Sequence, residues 1–407
     1  MPRTLDHPAS RPPTVPSAPT ASVVSPVTHV STAARRWPVS ATARRAGVLL
    51  ACVLLAAYTG MRMPSTWTAT LQAVSWQDGF RRRFLVGSVL YPLDRATGYA
   101  YAVFAAVSFL VLVALLVVVV VAAVRTRVRA RWVLVAVWLV SPAGGYLFHE
   151  VGYFEQVLFL ALFAAWWLVA RGRWVLAASV MAASVCVHEI AMLTVVPLFT
   201  MIVVRALSTR RAIAAVAVPA LVGVFVLTVT PAEDGAVSVL SGRLAGADFR
   251  ARPDALEIFG RSQTQSMGMY RPLDVLWFLV PLVLVLGTAL VFTFAGGRVV
   301  VGSRRVVAIG AALAPASAAF AGWDMHRWAF LLLANSAVVL WWWLGQERPT
   351  GGAARSRCGV WVAVVLVCTH VPLAYFDGYA PRDLTGRAIG RFVGEAASGE
   401  LWRTPPV

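Results

Sequence analysis

The chain has 407 residues, of which 59% are hydrophobic and only 13% are charged, and its mean hydropathy is +0.73. Soluble domains carry roughly 25% charged residues, so this composition excludes an ordinary soluble fold and indicates a membrane protein. The net charge of +18 comes from 36 basic residues. All of them are arginines scattered between apolar segments, which excludes the single basic face of a nucleic-acid-binding protein.

The N-terminal residues 1–45 are rich in Pro, Ser, Thr and Ala and have no apolar period. This pattern predicts a disordered cytoplasmic tail. No small-residue cleavage site follows the first apolar run near 46–63, so that run is expected to remain as a membrane anchor. Four cysteines lie inside apolar segments and are interpreted as small buried residues, not as disulfides or metal ligands.

Residues 46–376 are predicted to form an all-α, polytopic transmembrane helix bundle. A span needs about 20 apolar residues, and by that measure the sequence predicts about eleven spans, within a range of about nine to twelve. After the first, they are expected near 98–124, 132–148, 156–170, 174–187, 190–204, 212–230, 272–293, 306–321, 328–345 and 358–376.

The arginines predict a cytoplasmic N terminus, because basic residues concentrate in cytoplasmic loops. If successive loops alternate between the two sides of the membrane, 21 of the 36 arginines lie inside. Of the 18 acids, only Asp6 and Glu347 lie inside. The acid bias is an independent observation, because the rule counts basic residues alone. It predicts that any catalytic or binding site lies on the outer side of the membrane. The outer loops 64–97 and 231–271 and an extracytoplasmic tail, 377–407, are expected on that side.

The first outer loop contains the stretch 76–94, in which Asp78 precedes three consecutive arginines. A carboxylate at this position could act as a general base on a hydroxyl acceptor. It could equally cap a helix that runs toward Tyr91. The sequence leaves both interpretations open.

The three arginines are Arg81, Arg82 and Arg83. Guanidinium groups match phosphate oxygens, and arginines in an outer loop oppose the orientation rule, so we expect them to bind phosphate. Snorkelling toward lipid headgroups is the structural alternative. If the segment is helical, the three side chains span about 200°, so at most two can face one ligand.

Two His-Glu pairs, His149-Glu150 and His188-Glu189, fall at the predicted outer ends of short spans. Ionisable residues at membrane depth are costly and usually functional. Glu189 is therefore a second candidate general base, and the other three residues are candidate substrate-binding groups. The structural alternative is an internal hydrogen-bonded pair that stabilises a helix break.

The turn 322–327 joins two predicted spans and contains Asp324, His326 and Arg327. Asp324 and Arg327 are three residues apart and could pair with each other. An acid, an imidazole and a guanidinium in one turn nevertheless predict a third wall of a polar, substrate-binding pocket. A divalent metal held by the His188-Glu189 pair with Asp324 and His326 is an alternative, although the sequence lacks His-Glu-x-x-His. We predict no resident cofactor or metal.

This layout resembles the C-type membrane glycosyltransferase superfamily and the related bacterial polysaccharide polymerases. The resemblance implies a catalytic acid in the first outer loop, here Asp78, followed by a juxtamembrane helix, here Gly79 to Leu90. It also implies that arginines bind a polyprenyl-phosphate leaving group and that the protein lies in a bacterial plasma membrane. Two departures are a single carboxylate in Gln77-Asp78, where many such enzymes have paired acids, and the absence of a folded extracytoplasmic domain.

Sequence and resemblance together predict a glycosyltransferase or polysaccharide polymerase that uses a lipid-linked sugar donor at the outer face. Its partners are that donor and membrane lipid, not nucleic acid. A secondary transporter or lipid translocase would use the same intramembrane His, Glu and Arg residues. Against it, the polar residues cluster at the ends of spans. A purely structural membrane protein leaves the polar turns unexplained.

Overall fold

The computed structural model describes residues 39–80, 82–229, 235–257, 271–294, 302–320, 322, 324–345, 364 and 379–403. In these ranges every regular element is helical and no strand occurs, which confirms the all-α prediction. Helices suit a lipid solvent because each satisfies its backbone hydrogen bonds within one segment.

The helices are labelled in chain order. Up to residue 187 they are α1 (Val39–Gly60), α2 (Thr66–Gln72), α3 (Phe84–Thr97), α4 (Tyr101–Arg125), α5 (Arg129–Val140), α6 (Pro142–His149), α7 (Phe154–Ala170) and α8 (Trp174–Val187). The others are α9 (Val195–Ala206), α10 (Thr209–Thr228), α11 (Gly235–Leu244), α12 (Pro253–Glu257), α13 (Val280–Phe294), α14 (Ser303–Leu313), α15 (Met325–Leu344) and α16 (Gly386–Ala397).

Six of the described helical segments are long and apolar enough to cross a membrane, which indicates a membrane protein. They are Ala41–Gly60, Tyr101–Arg125, Glu189–Ala206, Thr209–Thr228, Pro272–Val291 and Met325–Leu344. A seventh results if the bent pair α5–α6 counts as one crossing. The count of about eleven stays a prediction, and its last span, 358–376, lies outside the described residues apart from Val364.

Helices α7 and α8 were predicted as spans but contain only 17 and 14 residues. At 1.5 Å per residue they are about 26 Å and 21 Å long, shorter than a hydrocarbon core of about 30 Å. They pack against each other and against α9 and α10 in the main apolar core. The predicted span 306–321 also divides, because α14 gives way to a 3₁₀ segment, Ala314–Phe320.

The predicted span 132–148 is broken by a bend of 62° between α5 and α6. Ser141 has extended backbone angles, φ −76° and ψ 164°, and Pro142 begins the next helix. Proline lacks the N–H that would continue α5, and its ring disfavours helical angles in the preceding residue. The Ser-Pro pair therefore explains the break.

One end of the bundle, where α1 ends and α4 begins, is called the charged end. The side chain of Arg62, just after α1, donates to the carbonyl of His149 at the end of α6 (2.7 Å). The arginine–carboxylate pairs of Arg62, Arg83, Arg243, Arg252 and Arg327 all lie at this end. At the opposite end, Arg45 and Arg131 donate to main-chain carbonyls of neighbouring helices.

The segment between α1 and α4 holds α2, a 3₁₀ turn (Trp76–Asp78) and α3. The helix expected from Gly79 to Leu90 instead begins at Phe84 and continues to Thr97. Two residues delay its start, because Gly79 (φ 85°) and Arg83 (φ 66°) have left-handed backbone angles that no right-handed helix accommodates.

Part of the predicted loop 231–271 is also ordered, since α11 and α12 pack on α2 and on the start of α4. The main-chain N of Arg252 donates to the Thr70 hydroxyl (3.0 Å), and the main-chain N of Tyr101 donates to Asp248 (2.6 Å). Phe249 and Leu256 join a second apolar cluster with residues of α2 and α4. This packing brings Arg243, the basic side chain of α11, to Asp78.

Candidate functional site

Asp78 is 7% exposed and closes the 3₁₀ turn that precedes α3. Its Oδ2 accepts hydrogen bonds from the main-chain N and the hydroxyl of Ser75, both at 3.0 Å. The same oxygen forms an ion pair with Arg243 Nη2 of α11 at 2.8 Å. Asp78 therefore caps the 3₁₀ turn together with Ser75, and not the helix toward Tyr91, whose N-cap residue is Arg83. Its carboxylate is already committed to an arginine.

Arg243 joins this turn to α3. It also donates to the carbonyl of Ala73 (2.7 Å), and its guanidinium carbon lies 5.4 Å from the ring centroids of both Tyr91 and Tyr99. Three buried atoms of this group have no hydrogen-bond partner among the described residues: Asp78 Oδ1, Arg243 Nε and the Tyr99 hydroxyl. Polar atoms buried without partners are uncommon in folded proteins.

Asp94, in the third turn of α3, borders the same group. It lines a small cavity of about 20 Å³ with Gln72, Tyr99 and Phe249, enough for about one water molecule. Within the described part of the chain its carboxylate makes no hydrogen bond or ion pair. We name Asp78, Tyr91, Asp94, Tyr99 and Arg243 the Arg243 cluster.

Burial raises the pKa of Asp94 to about 6, and the positive charge of Arg243 opposes this rise only in part. Burial likewise raises the pKa of the Tyr99 hydroxyl. A carboxylate with a pKa near neutrality is a stronger base than an ordinary aspartate and remains ionised at neutral pH. Asp94 thus has the protonation behaviour expected of a general base.

A second group lies where α8 ends. Arg83 donates from Nε and Nη2 to both carboxylate oxygens of Glu189, at 2.6 to 3.2 Å. Arg83 has a left-handed backbone (φ 66°), which is uncommon for a residue other than glycine. Arg83 was predicted as a phosphate ligand and Glu189 as a base, and the structure pairs the two side chains with each other.

His188 connects this pair to α15. Its Nδ1 lies 3.2 Å from Glu189 Oε2, and its Nε2 lies 3.3 Å from Arg327 Nη2. A proton on Nδ1 satisfies both contacts, because that nitrogen then donates to the carboxylate while Nε2 accepts from the guanidinium. The main-chain N of Ile190 lies 3.1 Å from Nδ1, and by donating to it would favour the tautomer with the proton on Nε2. That tautomer, however, would direct its Nε2–H at the positively charged guanidinium of Arg327.

Arg327 completes the row by forming an ion pair with Glu155 at the start of α7. The side chains of Glu155 and Arg327 are 7% and 10% exposed. The five side chains of this row, named the His188 chain, alternate in charge around a central imidazole: Arg83, Glu189, His188, Arg327 and Glu155. Such alternation stabilises each buried charge through its neighbours.

The turn 322–327 forms different contacts from those predicted. Asp324 does not pair with the guanidinium of Arg327; its Oδ1 accepts from the main-chain N of Arg327 (3.2 Å) and so caps α15. The guanidinium points to Glu155 because a long side chain reaches across helices. His326 packs edge-to-face on Phe278 at 5.6 Å, and the described residues contain no group of three metal-ligating side chains.

The other His-Glu pair forms a third group with Arg62. Glu150 Oε1 accepts from Arg62 Nη2 at 3.1 Å, while the ring of His149 packs near Tyr146 and Tyr379, with centroid separations of 6.1 and 5.0 Å. Of the remaining predicted phosphate ligands, Arg81 lies outside the described residues. Arg82 is half-buried beside Arg83, where the backbone forms a turn and not the helix considered above.

The chemistry-bearing residues thus fall into separate groups at the charged end. A larger cavity of about 370 Å³ lies between α4, α5, α7 and α15, and its lining, including Leu116, Phe163 and Trp341, is apolar. It has no ionisable side chain, so it suits a hydrocarbon chain and not proton transfer.

Sequence reasoning missed Arg243 and Asp94. Arg243 and Asp78 are 165 residues apart, so no local pattern connects them. Asp94 could have been recognised, because it is the acid one helical turn after Tyr91 in the stretch 76–94.

Comparison of the chain with protein-family models, with curated proteins and with solved structures gives no significant match.

Proposed function

We propose that this chain is an integral membrane glycosyltransferase of the C type, multi-pass in a bacterial plasma membrane, with its charged end outside. It transfers a sugar from a polyprenyl-phosphate-linked donor to a hydroxyl acceptor. The observation that carries the proposal is Asp94, an uncommitted carboxylate with a raised pKa beside an arginine, at the end where a lipid-linked substrate is delivered.

Sugar transfer needs two groups that this site offers. The acceptor oxygen forms a bond to the sugar C1 as the C1–O bond to phosphate breaks, and the acceptor proton goes to a base. Asp94 is that base in our proposal. Asp78 and Glu189, predicted for this role, are each held in an ion pair with an arginine, at 2.8 Å and 2.6 Å, so neither carboxylate is free to face an acceptor.

The leaving polyprenyl phosphate needs a fixed positive charge. Arg243 is suited to this role because Asp78, the Ala73 carbonyl and two tyrosine rings hold it in place. Arg82 is less suited than Arg243 to bind a phosphate next to Asp94. It precedes α3, and at 1.5 Å per residue the start of α3 is about 15 Å from Asp94.

Access from the bilayer is consistent with the surface of α3. Val89 is 69% exposed and Leu93 is 42% exposed, on the helix that carries Asp94. A helix with an exposed apolar face at the end of a membrane bundle suits the lipid boundary. A donor with a polyprenyl tail could therefore approach the Arg243 cluster without leaving the membrane.

The test is donor consumption in vesicles that contain the chain, with radiolabelled polyprenyl-phosphate sugars and release of polyprenyl phosphate as the readout. We expect Asp94→Asn to reduce turnover by about 10²- to 10⁴-fold. The matched control is Asp254→Asn, a surface acid of α12 whose partner is Arg252, which should retain turnover. Normal turnover in Asp94→Asn would remove the proposed base.

A proton-coupled transporter or polyprenyl translocase is the second candidate, and the His188 chain favours it. Alternating buried charges that link α7, α8 and α15 provide the parts of a proton path. This candidate predicts that Glu155→Gln abolishes substrate flux across sealed vesicles while no polyprenyl phosphate is released. Release of polyprenyl phosphate without flux would favour the transferase.

A further inference from the structure

Helix α16, close to the C terminus, separates apolar and charged residues onto two faces. At 100° per residue, Ile389, Phe392 and Val393 fall on one stripe, and Arg387 and Arg391 lie on the opposite side. The apolar stripe is largely uncovered by the protein: Ile389 is 42% exposed and Val393 is 57% exposed. An uncovered apolar stripe opposite a charged face is typical of a helix that lies at a boundary between water and an apolar phase.

The segment that leads into α16 is attached to the charged end of α1. The guanidinium of Arg382 donates to the carbonyls of Tyr58 (2.9 Å) and Met61 (2.6 Å), and its main-chain N donates to Thr59 (3.1 Å). The ring of Phe392 packs edge-to-face on Tyr58 at 5.3 Å. Since α1 is a candidate span, α16 begins at the level where that span ends.

The residues after α16 lie against a second span. Trp402 packs on Phe109 with a centroid separation of 6.5 Å. Phe109 is eight residues into α4, or about 12 Å from its start. Its neighbours Leu110 and Val113 are 67% and 52% exposed on this apolar span, as expected of side chains that face lipid. The region of α16 thus contacts two candidate spans, α1 through Phe392 and α4 through Trp402.

We propose that α16 lies in the membrane interface at the charged end, parallel to the bilayer surface. Ile389 and Val393 enter the boundary between acyl chains and headgroups, and Arg387 and Arg391 face the headgroups and water. Such helices bind by burying an apolar face to a depth of about 5–10 Å. Trp402 then has the position that tryptophan favours, near the junction of hydrocarbon and headgroups. This placement is independent of the proposed enzymatic activity.

The test uses single cysteines in a chain whose four native cysteines are replaced by alanine, reconstituted in phosphatidylcholine–phosphatidylglycerol vesicles and labelled with a nitroxide. The apolar-face positions are Ile389→Cys and Val393→Cys. The matched polar-face positions are Arg391→Cys and Gly394→Cys, and a side chain at Gly394 would meet no atom within 4 Å. Collision rates with oxygen, which concentrates in lipid, and with a water-soluble nickel chelate are measured at all four positions.

We expect the ratio of oxygen to nickel collisions to be several-fold higher at the apolar-face positions than at the polar-face positions. Equal nickel accessibility at all four positions would show a helix in water and overturn the proposal. Protection of the apolar-face positions from both reagents would show a protein partner instead of lipid and would also overturn it. Each variant is purified before it is reconstituted and labelled. Gel filtration at that stage identifies any variant that fails to fold.

Discussion

Single residues at the charged end have partners that lie far away in sequence. Arg83 and Glu189 are 106 residues apart, and Arg327 and Glu155 are 172 residues apart. The first pair is half-buried and the second is buried, positions that would be costly for either charge alone. The sequence identified most of these ionisable residues but assigned them to ligands, whereas the structure assigns many of them to one another.

The Glu155–Arg327 pair predicts a large effect of removing one partner. Arg327→Met leaves the Glu155 carboxylate buried without its cation, and we expect a loss of about 3–5 kcal/mol of unfolding free energy. The double variant Glu155→Met/Arg327→Met should recover much of this loss. Unfolding in a detergent series measures both effects.

The control for this prediction is Arg252→Ala, which breaks a pair whose side chains are 35% and 48% exposed. Exposed ion pairs contribute about 0–1 kcal/mol, so this variant should unfold almost like the parent. If Arg327→Met were equally mild, the His188 chain would be a set of independent contacts and not a stabilised network.

Asp94 predicts a pH dependence of stability. Its pKa is about 6 in the folded chain, above its ordinary value of 3.8, so the folded state binds the proton more tightly than the unfolded state. The contribution of Asp94 to stability is therefore fully present below about pH 4 and is lost as the pH rises through about 6. Between low and neutral pH, the Tm measured in detergent should decrease less in Asp94→Asn than in the parent.

The parent and the Asp94→Asn variant are compared over the same pH series, with Asp254→Asn as the control. Hydrogen bonding to Arg252 lowers the pKa of Asp254, so loss of that carboxylate acts in the opposite direction. Superimposable pH profiles of the parent and Asp94→Asn would contradict the raised pKa.

At the scale of elements, close contacts between helices depend on glycine. A Cβ added at Gly60, the last residue of α1, would lie 1.8 Å from the carbonyl oxygen of Gly145 in α6. Because that obstacle is backbone, it cannot move aside as a flexible side chain would. The contact brings the end of α1 to α6 and thereby positions Arg62 next to Glu150.

We expect Gly60→Ala to destabilise the protein by about 1–3 kcal/mol through overpacking. Gly47→Ala is the matched change within the same helix, where an added Cβ meets nothing within 4 Å. It should be neutral or stabilise by up to about 1 kcal/mol, because alanine favours helix more than glycine does. Detergent unfolding of the two variants measures the difference, and equal stability would contradict the close contact of α1 and α6.

At the scale of the whole molecule, the charge distribution is the main organising feature. The ion pairs lie at one end of the bundle, whereas Arg45 and Arg131 bind main-chain carbonyls at the other. The positive-inside rule then predicts that the charged end is extracytoplasmic. The proposed glycosyltransferase and interfacial helix α16 both belong to that end.

Orientation is tested by labelling single cysteines with a membrane-impermeant thiol reagent in intact cells, in a cysteine-free background. Ala96→Cys is exposed at the charged end, and Ser208→Cys is exposed at the opposite end. Ser75 is a poor choice, because it is fully buried. We expect Ala96→Cys to react in intact cells and Ser208→Cys to react only after lysis; the reverse pattern would invert the proposed orientation.

The sequence by itself determined the all-helical class, the apolar segments and the concentration of acids near one set of helix ends. These follow from hydropathy and from the order of residues along the chain, which are local properties. It could not determine which charges neutralise each other, because Asp78 meets Arg243, and Arg327 meets Glu155, only through helix packing. Nor could it show that α3 begins at Phe84, since left-handed backbone at Arg83 accompanies a tertiary ion pair. Tertiary structure also distinguished the committed carboxylates of Asp78 and Glu189 from the uncommitted one of Asp94, because burial and ion pairing depend on distant parts of the chain.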